Sequence, residues 1–456
     1  MKRCGRMGFR LLSAVLAVWL TGFVSLDFAQ LRGQKRNGRS TLRGAQTPRT
    51  VDRARRPAIS RRATDRVLVR FRADITAENA EAILLTYQFG KIRRIGGIGV
   101  YRAQLPPAVP LRQALAILRQ TPDVEYAGPD HRTRLFAVPN DTYFQSYQYN
   151  LRNRGGVLDI SPDIQPQMTA GADIKAVPAW DETQGDAATV IAILDTGIDM
   201  SHVELQNKVV STGRDFINGD MDATDDNSHG TWVAGIAAAE TNNGEGVAGV
   251  AWNSKLLPVK VMDADGAGYY DELIDGIIWA ADNGATVINI SAGGDADDPA
   301  LKAACKYAYD KGAVIVAAAG NDTSYVFFPA AYDEYVLAVA ATDYNDERWV
   351  FSSYGPQVDV AAPGVWILGP VPQWFAGTGY LPYIFGSGTS AAAPHVAGLA
   401  ALIKGAKPWL KVNQVMDIIR YTADDVNRTA YPGVDDYVGY GRINMERALV
   451  PVILSR

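Results

Sequence analysis

Residues 189–199 read TVIAILDTGID, an unbroken apolar run that ends on Asp195 and turns at once through Thr196 and Gly197. A run of aliphatic and β-branched residues without polar alternation is the signature of a strand buried on both faces, and such strands belong to parallel sheets covered by helices on each side. The chain beyond residue 172 keeps to that plan. Strand-like runs KLLPVKV (255–261), TVINIS (286–291) and AVIVAAAGN (313–321) alternate with helical stretches HGTWVAGIAAA (229–239), DELIDGIIWAADNG (271–284) and PALKAACKYAYDKG (299–312). The pattern predicts an α/β fold, a mostly parallel sheet flanked by helices. Functional groups in such sheets collect at the carboxyl edge, where loop amides and helix N-termini converge.

Three polar groups stand at element boundaries on that predicted edge. Asp195 closes the strand VIAIL. His229 lies in DDNSHGTWVAGIAAA, at the start of a helix of small residues. Ser390 lies in GSGTSAAAPHVAG, where a glycine-rich loop runs into another small-residue helix and the helix dipole points at the hydroxyl. Each alone has a plain structural explanation, as a turn aspartate, a structural histidine or a loop serine. Together they are an acid, an imidazole and a hydroxyl, the residue types nucleophilic acyl transfer requires. Histidines are few, namely His131, His202, His229 and His395. The chain order Asp, His, Ser excludes the α/β-hydrolase arrangement, because the one histidine after Ser390 is His395, only five residues on.

The segments ILDTGID, HGTWVAG and GTSAAAPHVAG resemble, in order, the three signature segments of the subtilisin-like serine proteases, over about 140–445 and closest to the thermitase-like branch. The resemblance implies that Ser390 attacks the peptide carbonyl, His229 moves the proton and Asp195 fixes the imidazole tautomer. AAAGND (317–322) is similar to the family's oxyanion segment, which makes Asn321 a hydrogen-bond donor together with the Ser390 amide. Gly266-Ala267-Gly268 and Ser291-Ala292-Gly293 resemble the backbone edges that hold the substrate as an added strand, so sequence preference is expected to be broad. Ala318, Ala319 and Gly320 suggest open walls for the primary pocket. Phe327 stands where its base is expected, in place of a small or polar residue, and favours small or medium apolar P1 side chains. Trp232 and Ala391 also depart from the family pattern, where His or Cys and Met are usual.

Calcium is implied as a structural ion. Asp141, Glu204 and Asn243 match the positions that supply oxygen ligands to the family's tight site, with Glu204 replacing the usual Asp. Asp215, Asp220 and Asp222 in DFINGDMDATDD have spacings similar to the thermitase-like branch's second site, or form a solvated acidic loop.

The N-terminal third is of another character. Residues 1–137 hold 26 Lys and Arg against 9 Asp and Glu, leaving 19 against 40 for the rest. A basic start MKRCGRMGFR and the 16-residue apolar run LLSAVLAVWLTGFVSL make residues 1–29 an export signal, or a membrane anchor if it is not cleaved. Residues 30–65 are Arg-rich among Gln, Gly, Ser and Thr without interleaved aromatics, which reads as a disordered linker and gives no nucleic-acid signal. Residues 66–137 alternate VLVRF, TAENAEAILLTYQFG, IGVYRAQL, LRQALAILRQ and VEYAGPD, a βαββαβ-like α+β module of ferredoxin type. It resembles the family's propeptides, which assist folding and then act as intramolecular inhibitors, with HRTRLFAVPN (131–140) as the tail. Residues 138–456 form the peptidase domain.

The reading is therefore a secreted serine endopeptidase made as a self-processing precursor, acting on proteins or peptides and monomeric once mature. A silent binding protein on the same scaffold is the rival from another class, and loss of about 137 residues by the wild-type chain alone separates the two. With Cys4 in the export segment, Cys305 has no partner for an intramolecular disulfide after processing.

Overall fold

A computed structural model describes residues 65–131, 137–211, 213–377 and 381–450. The expected export segment and nearly all of the linker lie outside the described residues, as do 132–136 of the propeptide tail. Among the described residues no helix is long and apolar enough to cross a membrane. The chain divides into two compact units, one holding Val138–Ala179 with Thr183–Leu449, the other running to Ala137 and including Trp180–Glu182.

The N-terminal unit has the expected βαββαβ order. Strands Arg66–Phe71, Gly90–Ile95, Val100–Gln104 and Val124–Pro129 form one antiparallel sheet in which the first strand lies between the third and fourth. Val67, Val69 and Phe71 alternate inward from the first strand, as the two-residue period of a half-buried strand requires. They meet Ala80 and Leu84 of helix Ala77–Thr86 and Ala114, Leu115 and Leu118 of helix Leu111–Gln120. Thr76 caps the first helix by accepting from the Asn79 amide at 3.3 Å.

The other unit is built on a seven-stranded sheet whose paired strands all run parallel. Its spatial order is Val360–Pro363, Val336–Thr342, Val314–Ala318, Val287–Ile290, Val190–Asp195, Lys255–Lys260, Arg214–Asp215. The run that opened the sequence reading is thus an interior strand, with Ile191, Ala192, Ile193, Leu194 and Asp195 all fully buried. Helices Tyr270–Asp282 and Pro299–Asp310 pack their Leu273, Ile277, Leu301, Ala304 and Cys305 against it. Burial pushes the Cys305 thiol up to about 12, so it is inert in water near neutrality. From Val190–Asp195 the chain first builds the sheet outward on one side, through Arg214–Asp215 and Lys255–Lys260, and then crosses to Val287–Ile290 on the other. That reversal makes a switch point, a crevice at the carboxyl ends of Val190–Asp195 and Val287–Ile290.

Strands Arg214–Asp215, Val336–Thr342 and Val360–Pro363 have no counterpart in the sequence reading, and neither does a further pair. Ile367–Pro370 and Tyr383–Gly386 pair as a separate antiparallel ribbon directly before the Ser390 loop. Trp232 packs flat into it: side chains at Gly369 or Gly386 would collide with the indole, and Trp232 Nε1 donates to Ile367 O at 3.1 Å. The large residue after His229-Gly230-Thr231 is accommodated by glycines more than 130 positions away in the chain.

Candidate active site

The strand Val190–Asp195 delivers Asp195 to the crevice with no exposed surface. Its Oδ1 accepts from the Thr196 amide at 2.8 Å and from His229 Nδ1 at 2.7 Å. His229 is the first residue of helix His229–Ala238, and its side chain is 16% exposed. Burial opposes a charged imidazolium here, yet the Asp195 charge and hydrogen bond, with Asp225 further off, outweigh it and raise the His229 pKa above the ordinary histidine value.

The close approach of the two loops depends on a residue absent from the sequence reading. Asp225, 2% exposed, accepts at Oδ1 from the Thr196 hydroxyl (2.8 Å) and the amides of Asn227 (3.0 Å) and Ser228 (2.9 Å). Its Oδ2 accepts from the Thr231 amide (2.9 Å) and the Thr231 hydroxyl. Thr196 Oγ1 in turn accepts from the Gly230 amide at 3.0 Å. A methyl group at Gly230 would lie 2.0 Å from Gly197 O, so only glycine lets the helix start press on the DTG turn. Lys260 adds a second tie, with Nζ donating to Thr196 O, Met262 O and Asp226 Oδ1 at 2.9, 2.8 and 2.6 Å. A lysine in the otherwise apolar LLPVKV was the available signal.

Ser390 sits in the first turn of helix Thr389–Ala406, and its hydroxyl donates to Ser291 O at 3.1 Å. Leu194 and Ile290 are register partners, so Asp195 and Ser291 leave the sheet side by side on strands about 4.8 Å apart. The structure thus brings Asp195, His229 and Ser390 to the same edge of the same two strands. Asn321 follows Val314–Ala318, the next strand over. Its Oδ1 accepts from the Thr389 amide (2.9 Å) and hydroxyl (2.8 Å), which turns the Nδ2 donor toward Gly388, where a methyl group would lie 3.4 Å from it.

The backbone segments expected to hold a peptide flank this point. Gly266-Ala267-Gly268 follows Lys255–Lys260 and Ser291-Ala292-Gly293 follows Val287–Ile290, the two neighbours of the Asp195 strand. Phe327, half-buried, donates its amide to Ala319 O at 2.9 Å. Methyl groups at Gly293 and Gly320 would lie 3.3 and 3.2 Å from its Cβ and Cγ, so the ring stands against Gly320 with its Cβ beside Gly293.

Of the two expected calcium sites, the residues of the first fit a hard cation. Asp141 is 3% exposed and Glu204 fully buried, and among the described residues neither is paired with a Lys or Arg. Burial, with the neighbouring Asp141 charge, pushes Glu204 up to about 7, and burial also raises Asp141. Asn243 Nδ2 lies 3.4 Å from Glu204 Oε2, and Tyr383, from the unanticipated ribbon, donates to Glu204 Oε1 at 2.9 Å. Two buried carboxylates without a cationic side chain are hard oxygen donors of the kind calcium takes, although the Asn243 oxygen is engaged by the Glu245 amide at 2.8 Å. The carboxylates of the second set accept from neighbouring amides, as those of the first do from Asn242 and Val247. Asp215 accepts from the Ile217 and Asn218 amides and from Asn218 Nδ2, Asp220 from the Asp222 amide, and Asp222 from Thr224. Among the described residues no three His, Cys, Asp or Glu side chains gather as a metal-holding group.

Comparison with known proteins bears on the family and the fold. Residues 186–441 match the model of the Subtilase family, and residues 51–130 match that of the Fervidolysin N-terminal prodomain. The chain is 44% identical over 333 residues to the thermophilic serine proteinase of Bacillus sp. (strain AK1), covering 73% of this chain and 74% of that protein. It is 41% identical over 312 residues to thermitase of Thermoactinomyces vulgaris, covering 68% and 99%. Among solved structures it is similar to proteases from Pseudoalteromonas arctica PAMC 21717, with TM-score 0.58, 32% identity and coverage of 69% and 99%. Sphericase gives TM-score 0.52 at 32% identity, covering 57% and 92%.

Proposed function

Because this chain belongs to the subtilase family and is a serine-type endopeptidase with a subtilisin-like fold, we propose that Asp195, His229 and Ser390 are its catalytic triad. The carrying observation is the 2.7 Å bond between His229 Nδ1 and Asp195 Oδ1 at the edge where Ser390 Oγ meets Ser291 O. With Nδ1–H committed to Asp195, Nε2 is the ring atom left to accept the serine proton. Ser390 Oγ then adds to the peptide carbonyl as its proton passes to His229. The tetrahedral oxyanion takes hydrogen bonds from Asn321 Nδ2 and the Ser390 amide, and His229 returns the proton to the leaving amine. Water reverses the sequence on the acyl-enzyme. The deciding experiment is peptide hydrolysis by Ser390→Ala, developed in the Discussion.

The same reading takes residues 66–137 as a self-removed propeptide, 138–456 as the peptidase, and the N-terminal segment as directing export to a secreted, monomeric enzyme. The prodomain match and the opposite charge of the two parts of the chain support it.

Phe327 sets the primary specificity in this proposal. With its ring against Gly320 and its Cβ beside Gly293, it would favour small or medium apolar side chains at P1 over an aromatic one. Profiling with peptides that vary only at P1 should show kcat/KM for Phe well below that for Ala or Leu, and Phe327→Gly should invert the order. Wild-type preference for Phe would refute the assignment.

Asp141, Glu204 and Asn243 would hold a structural calcium that supplies charge neutralisation to two buried carboxylates and takes no part in the chemistry, with Asp215, Asp220 and Asp222 as a second structural site. An ion bound only by the folded chain at a hundredfold excess over Kd contributes about 2.7 kcal/mol. EDTA should therefore lower Tm by roughly 5 °C or more in calorimetry at pH 8, with calcium restoring it. An unchanged Tm would count against the site.

A further inference from the structure

Pro394 lies inside helix Thr389–Ala406, four residues after Ser390. A helical carbonyl at 390 takes its hydrogen bond from the amide of residue 394, and proline has none. The Ser390 carbonyl is nevertheless satisfied, from outside the helix: Ser291 Oγ donates to it at 3.1 Å. Ser291, 6% exposed, is itself held, because Asn289 Nδ2 donates to the same Oγ at 3.0 Å. Asn289 is fully buried in strand Val287–Ile290 among Val287, Ile288 and Ile290. A buried amide in an apolar strand costs stability, and of this one the nitrogen is spent on Ser291 while Oδ1 is buried without a partner among the described residues, a cost a purely structural residue would not explain. With its acceptor side filled by Asn289, the Ser291 hydroxyl has its proton directed at Ser390 O.

We infer that Asn289 and Ser291 are positioning residues for the nucleophile, and that the Ser291 side chain does the work of the amide proline withholds. The chain from Asn289 through Ser291 to Ser390 O fixes the peptide plane between Ser390 and Ala391. That plane sets the direction of the Ser390 Cα–Cβ bond. The adjoining main-chain contact, Ser390 Oγ to Ser291 O, closes a reciprocal pair between the strand end and the helix start. A helix whose first turn is pinned to the sheet through its carbonyl holds the attacking oxygen in place as substrate enters. Proline at 394 thereby transfers control of this carbonyl from the helix to the sheet edge that faces the substrate. The inference rests on Ser390 being the nucleophile.

A double-mutant cycle in the full chain tests it. Ser291→Ala should lower kcat about tenfold, the worth of one orienting hydrogen bond, with KM within about twofold. The acid limb of the pH profile should stay where it is, because His229 and Asp195 are untouched. Pro394→Ala restores an amide able to bond Ser390 O, and in that background Ser291→Ala should cost less than about twofold. An equal cost in both backgrounds overturns the inference. Independently, Ser291→Thr, which keeps a hydroxyl, should exceed Ser291→Val, its isostere without one, by about fivefold to tenfold in kcat; equal values overturn it. Ser390→Ala run alongside separates the two levels. If that variant still hydrolyses peptides, the triad reading fails; if it is dead while the cycle shows no coupling, only the positioning role fails.

Discussion

Ser390→Ala should lose about six orders of magnitude in kcat, the general cost of removing the nucleophile from a subtilisin, and should leave the precursor at full length. The hydroxyl donates to Ser291 O, so its loss leaves one main-chain carbonyl without that donor and changes little in the packing. Folding is therefore expected to be intact, and calorimetry should show Tm within a degree or two of wild type. The wild-type chain, expressed alone, should release the segment ahead of about residue 138, and the variant should not, as the mass of the purified product will show. Asn321→Ala belongs on the same scale at about 10²–10³ in kcat, the usual cost of one oxyanion donor in this family. Full activity in purified Ser390→Ala would end the triad assignment.

Asp195→Asn should cost about 10⁴ in kcat at neutral pH, because the amide NH₂ group of the new side chain turns the imidazole toward the wrong tautomer. It should also move the acid limb of kcat/KM. In the wild type, burial pushes His229 down, and the Asp195 charge and hydrogen bond more than reverse this, so the base loses its proton only above the ordinary histidine range. Removal of that charge leaves burial dominant. The limb should therefore shift to lower pH in the variant, in the residual activity measured with an activated ester. The linked stability has a definite sign. A histidine whose folded pKa is raised stabilises the fold fully below its unfolded pKa, and the contribution fades as pH rises through the folded value. Asp195→Asn should remove this pH dependence, so the Tm difference between wild type and variant should be larger at pH 5 than at pH 9. An acid limb that stays in place would show that Asp195 does not govern His229.

Local pattern carried a large part of this account, since strand and helix periodicity and element-boundary motifs are properties of neighbouring residues. Four interior strands, Val190–Asp195, Lys255–Lys260, Val287–Ile290 and Val314–Ala318, the helices between them and the βαββαβ module follow from apolar runs and their spacing, and three boundary motifs put an acid, an imidazole and a hydroxyl on one edge. Phe327 stands out through the family resemblance, which puts a small or polar residue at that position.

What stayed hidden is pairing at long range. Nothing in DDNSHGT says that Asp225 will collect the Thr196 hydroxyl from 29 positions away, and nothing in PYIFG says that Tyr383 will donate to Glu204 across 179. Asp215, Asp220 and Asp222 carry metal-like spacing, and their local hydrogen bonds to amides of the same loop are a matter of near neighbours. The sequence alone determined which groups reach the carboxyl edge, because burial and periodicity act over a few residues. Only the tertiary structure decided which of them touch, since a directed hydrogen bond depends on ångström placement of strands and loops that meet only after the sheet has closed.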